Sequence, residues 1–469
     1  MHPDIEYLKK IVKKLACNQG VNFVDAFFEE KTGSTIVFEN GRVDRIRQGI
    51  DSGLGIRVIR NHHTYYGFST RVDAEAVDDL ARVIHEASIL SPKDNDVVFS
   101  VNNRMPVSDI QVDPAAAGIA EKIALLKHAD EVARSHGTEV IQVRSVFSDE
   151  TRRVVQVNSD GAVIDFPRKG LVFITHVTAR SGDILQTGYE SAGGQVGMEL
   201  FANDMIAKIA NISAGRALTM LHAREAPSGR MPVVLESEAG GTMIHEAVGH
   251  GLEADLVGEK MSVYAGSMGK KIASDIVSVI DDPTMPNRRG SYPFDDEGVE
   301  SCPNLLIEKG YLKGFMYDRL SALKQNAAPT GNGRRESYRH KPIPRMSNTY
   351  IAPSNTNPGE ILRSTPVGLL VRKMGGGEVN TVNGDFVFEV AEGYLIENGR
   401  QGDPVRGATL VGNGPRALMD IDMVGNDLGF SIGTCGKDGQ GAPVSDAQPT
   451  LRIGTPDKPE TWLTIGGTA

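Results

Sequence analysis

The chain opens on apolar residues spaced three and four apart: Ile5, Leu8, Ile11, Val12, Leu15 and Ala16. That spacing draws one apolar stripe along an α-helix and predicts a helix over residues 4–18. The period then drops to two. Segments 23–29, 35–39 and 43–49 read as strands, with Asn40-Gly41 as a hairpin turn, and 55–58 and 64–69 continue the β pattern. Residues 73–88 return to helix, with Ala76, Val77, Leu80, Ile84 and Ala87 on one face. A connection rich in Pro, Asn and Asp follows at 91–105. A second strong helix is predicted over 115–136, strands from 139, a hairpin turn at Asp160-Gly161, and a helix over 201–223.

Ala226-Pro227-Ser228-Gly229 breaks these patterns and reads as a linker. It divides the chain into an N-terminal domain, 1–225, and a C-terminal domain, 226–469. Beyond it come a short apolar strand at 232–235 and a helical stretch from Ser237. After residue 300 the pattern is mostly β, with Asn383-Gly384 and Asn398-Gly399 as further turns. Glu-Asn-Gly-Arg stands at both 39–42 and 397–400, which is one turn chemistry used twice rather than a domain repeat. The expected fold is α+β: an N-terminal antiparallel sheet with packed helices, then a β-rich domain.

Composition narrows the function. Of 469 residues, 40% are hydrophobic and 23% charged, which suits a globular chain with a sizeable core. Lys plus Arg is 50 and Asp plus Glu is 60, a net charge of −10 that argues against nucleic acid as a partner. No run of eighteen uncharged apolar residues predicts a membrane span. The first residues lack the apolar core of a signal peptide. Cys17, Cys302 and Cys435 are too few, and odd in number, for a disulfide framework, so a reducing, cytoplasmic setting is expected. On its amphipathic helix, Cys17 reads as a small buried hydrophobe.

The sharpest chemical signal is His245-Glu246-Ala247-Val248-Gly249-His250. Two neutral imidazoles bind Zn²⁺, and an adjacent carboxylate can take a proton from water. In the familiar HExxH form the histidines are four apart and share a helix face. Here they are five apart. On an ideal helix that leaves them about 140° apart, too far to converge on one ion. The helix must therefore widen into a π-bulge, or His250 must lie past its last turn, and Gly249 and Gly251 would ease either. A third ligand is needed. Glu253, three residues on, and Cys435, within the glycine-rich 433–440, are both suitable, and spacing does not choose between them.

His245–Asp255 (HEAVGHGLEAD) and 433–440 (GTCGKDGQ) resemble the TldD/PmbA family of metallopeptidases, in its TldD-like, metal-binding branch. So do 290–298 (GSYPFDDEG), 338–353 (YRHKPIPRMSNTYIAP) and 375–380 (GGGEVN), and the likeness spans essentially the whole chain. The resemblance implies a zinc peptidase acting on unfolded or flexible polypeptides. It implies His245, His250 and Cys435 as metal ligands and Glu246 as general base. It also implies a dimer, either a homodimer or a heterodimer with a PmbA-like paralogue. Two readings compete with it: a non-catalytic peptide-binding partner, and a metal-dependent amidase acting on a non-peptide substrate.

The remaining candidates are less specific. Arg334, Arg335, Arg339, His340, Lys341 and Arg345 form a basic segment that is either a solvated loop or a source of substrate and oxyanion contacts. The resemblance places it near substrate and singles out Tyr338, Arg339 and His340 as substrate-binding. Segment 345–351 is strand-like. As an exposed edge it would bind an extended peptide, and as an interior strand it would not. Asp295-Asp296-Glu297-Gly298 reads as an acidic, solvated turn, and Asp420, Asp422 and Asp427 as similar. Gly375-Gly376-Gly377 is expected to be a close-approach turn near the site. It lacks the Lys-Ser/Thr ending of a phosphate-binding loop.

Overall fold

The computed structural model describes residues 3–88, 97–102 and 107–467. Most of the connection expected at 91–105 therefore lies outside the described residues. The first helix, α1, spans Ile5–Ala16. The Asp4 side chain caps it, accepting from the backbone N–H of Glu6 and Tyr7, and Leu8, Ile11, Val12 and Leu15 are buried. Cys17 ends this helix at its C-cap and is only partly buried.

The segments read as separate strands at 23–29 and 35–39 are one strand, β1 (Val21–Glu39). It turns at Asn40-Gly41, both with φ near +51° and +78°, into β2 (Arg42–Arg60) and then β3 (His63–Ser69). α2 is Ala74–Ser88, β4 is Ser100–Val101, and α3 is Ile119–Arg134. β5 (Val140–Asn158), β6 (Ala162–Ser181) and β7 (Ile184–Gly194) follow, then α4 (Met205–Leu221). The strands make one sheet in the order β3-β2-β1-β5-β6-β7, with β4 parallel to the start of β6.

Even-numbered residues of β1 face the helices. Val24, Ala26 and Phe28 pack under α1 and α2, and Ile36 and Phe38 under α3 and α4. Burying each of these Val, Ile and Phe side chains contributes about 1.5–3 kcal/mol. The odd-numbered face carries Asp25, Phe27 and Glu29, which are also buried, because the C-terminal domain covers it. A strand buried on both faces loses its alternation.

The charges on that face are paired across the domain boundary. Arg57 bonds Asp25 within the sheet and reaches Glu297 of the C-terminal domain at 2.7 Å. Arg335 reaches back to Asp25 at 3.2 Å, and the backbone N–H of Tyr338 donates to Glu29 at 2.8 Å. The acidic turn 295–298 is therefore not solvated. Asp295, Asp296 and Glu297 are at most 2% exposed. Asp295 accepts three backbone N–H bonds, and Asp296 pairs with Arg168. These acids are tolerable in the interior because each is hydrogen-bonded or paired. Asp422 likewise pairs with Arg452. Gly53 of β2 permits the close approach: a Cβ there would lie 2.2 Å from the Tyr338 ring.

The C-terminal domain holds a ten-stranded and a six-stranded sheet around the largest core. In the six-stranded sheet, Asn348–Ile351 lies between Val279–Asp281 and Gln440–Gln448. It is a paired interior strand, with no free edge to offer a peptide. Gly375-Gly376-Gly377 is not a turn either. It lies inside the strand Val367–Val379, at a register shift opposite Val387–Val390. Among the described residues no helix is long and apolar enough to cross a membrane.

Candidate metal centre

The helical stretch after the strand Val233–Leu235 is short and irregular. A 3₁₀ turn at Ser237–Ala239 leads to one α-turn, Thr242–Ile244. His245–Gly249 is then a π-turn, closed by the His250 N–H donating to the His245 carbonyl, and His250–Leu252 is 3₁₀. This i→i+5 bond brings residues five apart onto one side, as the histidine spacing demands. The turn is anchored by Ile244, Val248 and Leu252, all fully buried. Gly249 is required by packing: a Cβ there would sit 2.0 Å from Met346 Sδ.

The imidazole rings of His245 and His250 lie 5.1 Å apart and perpendicular. Cys435 comes from an antiparallel hairpin, Gly429–Lys437 with Gln440–Gln448, turned at Asp438-Gly439. Arg345, fully buried, donates to the Cys435 and Gln440 carbonyls and holds the hairpin down. One ligand atom from each of His245, His250 and Cys435 lies within 4.8 Å of the others, with Cys435 Sγ 3.4 Å from His250 Nε2.

Each histidine gives its Nδ1 to a carboxylate, which turns Nε2 inward. For His245 the partner is Asp446 Oδ1 at 2.7 Å. For His250 it is Glu253 Oε2 at 2.9 Å. Glu253 is thus placed behind a histidine. Lys437 Nζ, 3.1 Å from Glu253 and 2.7 Å from Asp255, fixes it in turn.

The electrostatics fit a cation site. Burial opposes charge on the Cys435 thiol, but hydrogen bonds from both histidines pull it down to about 5. Burial also opposes charge on His250, yet Glu253 and the Cys435 sulfur raise it to about 10; Asp446 raises His245 in the same way. Without a cation the three groups hold protons between them, and a metal would displace those protons. Glu246 is partly exposed, and burial raises its carboxyl above the usual range.

The basic segment goes elsewhere. Arg334, Arg335 and Arg345 are buried and bond backbone carbonyls and Asp25, so of its basic residues only Arg339 and Lys341 are exposed. Tyr338 is fully buried, with its hydroxyl 3.0 Å from Asp51 of β2, and Arg339 pairs with the same carboxylate. His340 Nδ1 is 3.1 Å from Ser337 Oγ. Tyr338 and Arg339 are thus placed at the contact between the domains, while His340 is held within its own segment. Sequence reasoning missed Asp446. Its one signal was an acid within an otherwise small and apolar strand, Ala442 to Ala447.

An α+β chain with two histidines on a π-turn and a cysteine from a neighbouring hairpin has a donor set that could hold a metal ion. Comparison with known proteins gives the family. Models of the PmbA/TldA metallopeptidase match over 24–90 (domain 1), 112–221 (central domain) and 228–456 (C-terminal domain). A metalloprotease TldD homolog of Haemophilus influenzae is 33% identical over 465 residues, 96% of this chain and 94% of that one. A metalloprotease of Methanothermobacter thermautotrophicus is 32% identical over 459 residues, 97% and 98% of the two chains. Among solved structures, TldE from Thermococcus kodakarensis superposes with a TM-score of 0.73 at 18% identity, covering 96% and 99%. One from Thermotoga maritima gives 0.78 at 21%, covering 99% and 100%. The chain belongs to the TldD/PmbA family of metallopeptidases.

Proposed function

We propose that this protein is a zinc-dependent peptidase that hydrolyses peptide bonds in unfolded or flexible polypeptides. The observation that carries the reading is the convergence of His245, His250 and Cys435 within 4.8 Å, with the partly exposed Glu246 on the same turn. Two imidazoles and a thiolate are a donor set suited to zinc. One relative, from Saccharolobus solfataricus, 28% identical over 459 residues, is named a zinc metalloprotease.

Zinc held by these three side chains supplies a Lewis acid for the scissile carbonyl. The protein's own groups do the rest. Asp446 and Glu253 orient the two imidazoles. Glu246 accepts the proton of the attacking water and returns it to the leaving amine. Its raised carboxyl suits a group that must both take and give a proton. Tyr338, Arg339 and His340 remain proposed contacts to substrate. We also propose a dimer, with itself or with a PmbA-like paralogue, as the family likeness implies.

The test pairs metal analysis with casein cleavage, on the wild type and on Glu246→Gln. Both should bind about one zinc per chain, and the variant should lose at least about a hundredfold in rate. Absence of metal from both proteins would refute the site. Metal without cleavage in the wild type, restored by a PmbA-like chain, would make the active species a heterodimer.

A further inference from the structure

A second polar cavity lies between the domains, on the far side of the hairpin that carries Cys435. Its volume is about 250 Å³. One wall is the face of the N-terminal sheet not covered by helices: Ser148, Glu150 and Arg152 of β5, and Arg168 of β6. The other is Arg289, Arg334 and Pro443 of the C-terminal domain. Thr434 and Pro443 are paired across the hairpin, one residue out of phase with Cys435, so they face away from the metal ligands.

The charges do not balance. Arg152 is paired with Glu29, Lys169 with Asp113 and Arg168 with Asp296. Glu150, the one acid in the lining, is taken by Lys31. Arg289 and Arg334 have no carboxylate within ion-pair distance among the described residues, and Glu150 acts on Arg289 only from farther off. Arg289 donates to the Gly433 carbonyl at 3.1 Å and to Thr434 Oγ1 at 3.3 Å. Arg334, 4% exposed, donates to the Met346 and Pro443 carbonyls and lies over the Tyr292 ring, as Arg168 does from its own side. The Nε of Arg168 is buried with no hydrogen-bond partner among the described residues. Burial, with Arg152 and Arg334 beside it, lowers the Arg168 guanidinium to about 10, and burial lowers Arg289 too. The cavity is thus short of about two negative charges and holds an unused buried donor.

We infer that this cavity is a binding site for a compact dianionic oxyanion of the phosphate type, gripped by Arg168, Arg289 and Arg334. Guanidinium groups match such oxygens in shape as well as charge. The anion would tie the N-terminal sheet to the hairpin through Arg289, whose contacts at Gly433 and Thr434 immediately precede Cys435. The site is independent of peptidase activity, and its test does not read hydrolysis.

The probe is inorganic phosphate, titrated into the purified protein at constant ionic strength against chloride. Phosphate is expected to raise the melting temperature and to protect Arg168, Arg289 and Arg334 from phenylglyoxal, read by peptide mass mapping. Arg168→Gln should weaken phosphate binding at least tenfold. Arg289→Gln, at a partly exposed position, should weaken it at least about threefold. A phosphoserine peptide run beside the free ion separates a diffusible anion from one carried on a chain; binding of either supports the site. Equal arginine labelling with and without phosphate would overturn it. So would a phosphate effect unchanged in both variants, since that would put the anion elsewhere, for example at the metal ligands.

Discussion

Asp446→Asn isolates what a carboxylate behind a metal-ligating histidine contributes. In the wild type Asp446 Oδ1 is 2.7 Å from His245 Nδ1, and the two side chains are only 11% and 6% exposed. Little water competes for this bond. Asparagine keeps the shape and the oxygen but removes the charge that makes the imidazole a strong donor to a cation. Loss of such an outer partner weakens metal binding about 10- to 100-fold, or about 1.4–2.8 kcal/mol. Glu253→Gln should act similarly on His250. Glu253 already shares its charge with Lys437 at 3.1 Å, so its effect belongs at the lower end of the range. The sites act on different ligands, so the double variant should approach the product of the single effects. The assay is zinc competition against a chelator of known affinity, with circular dichroism to confirm an intact fold. A fully folded Asp446→Asn protein that binds zinc within twofold of wild type would refute the reasoning.

Three further outcomes concern the domain contact. Arg57→Met leaves Asp25 and Glu297 buried without their shared cation, and should cost about 3–5 kcal/mol in urea unfolding; a loss under 1 kcal/mol would show that water reaches the pair. Gly53→Ala drives a methyl into the Tyr338 ring and should cost about 1–3 kcal/mol, while Gly41→Ala, where nothing lies within 4 Å, reports only the positive-φ penalty. Burial, with Glu297 nearby, raises Asp318 to about 7, so the folded state holds a proton that the unfolded chain releases near 4. Its contribution to stability is present in acid and fades as pH rises from about 4 to 7. Asp318→Asn should flatten that part of the profile, and an unchanged slope would assign it to other groups.

The helices α1 to α4 were legible because each carries one apolar stripe. The Asn40-Gly41 and Asn398-Gly399 turns were legible because few other pairs accept two positive φ angles; at Asn383-Gly384 only the glycine has one. The long strand β1 was not. Its odd face reads Asp25, Phe27, Glu29, and nothing local says that a second domain will bury those acids against Arg57, Arg152 and Arg335. The same blindness made the 295–298 turn look solvated and left a solvated loop as one of two readings of 334–345. A charged residue reads as exposed until its partner is known, and the partners that cross the domain contact lie more than a hundred residues away.

The spacing in His245-Glu246-Ala247-Val248-Gly249-His250 alone required a distorted helix, since side-chain direction along a helix follows from residue count. It also left two partners for the histidines open. Only the tertiary structure placed Cys435 beside them and Glu253 and Asp446 behind them. Those positions depend on how a distant hairpin, held by Arg345, docks against the π-turn. Periodicity is a local property of the chain and can be read along it. Which charge meets which, and which donor completes a site, is decided by packing between segments far apart in sequence.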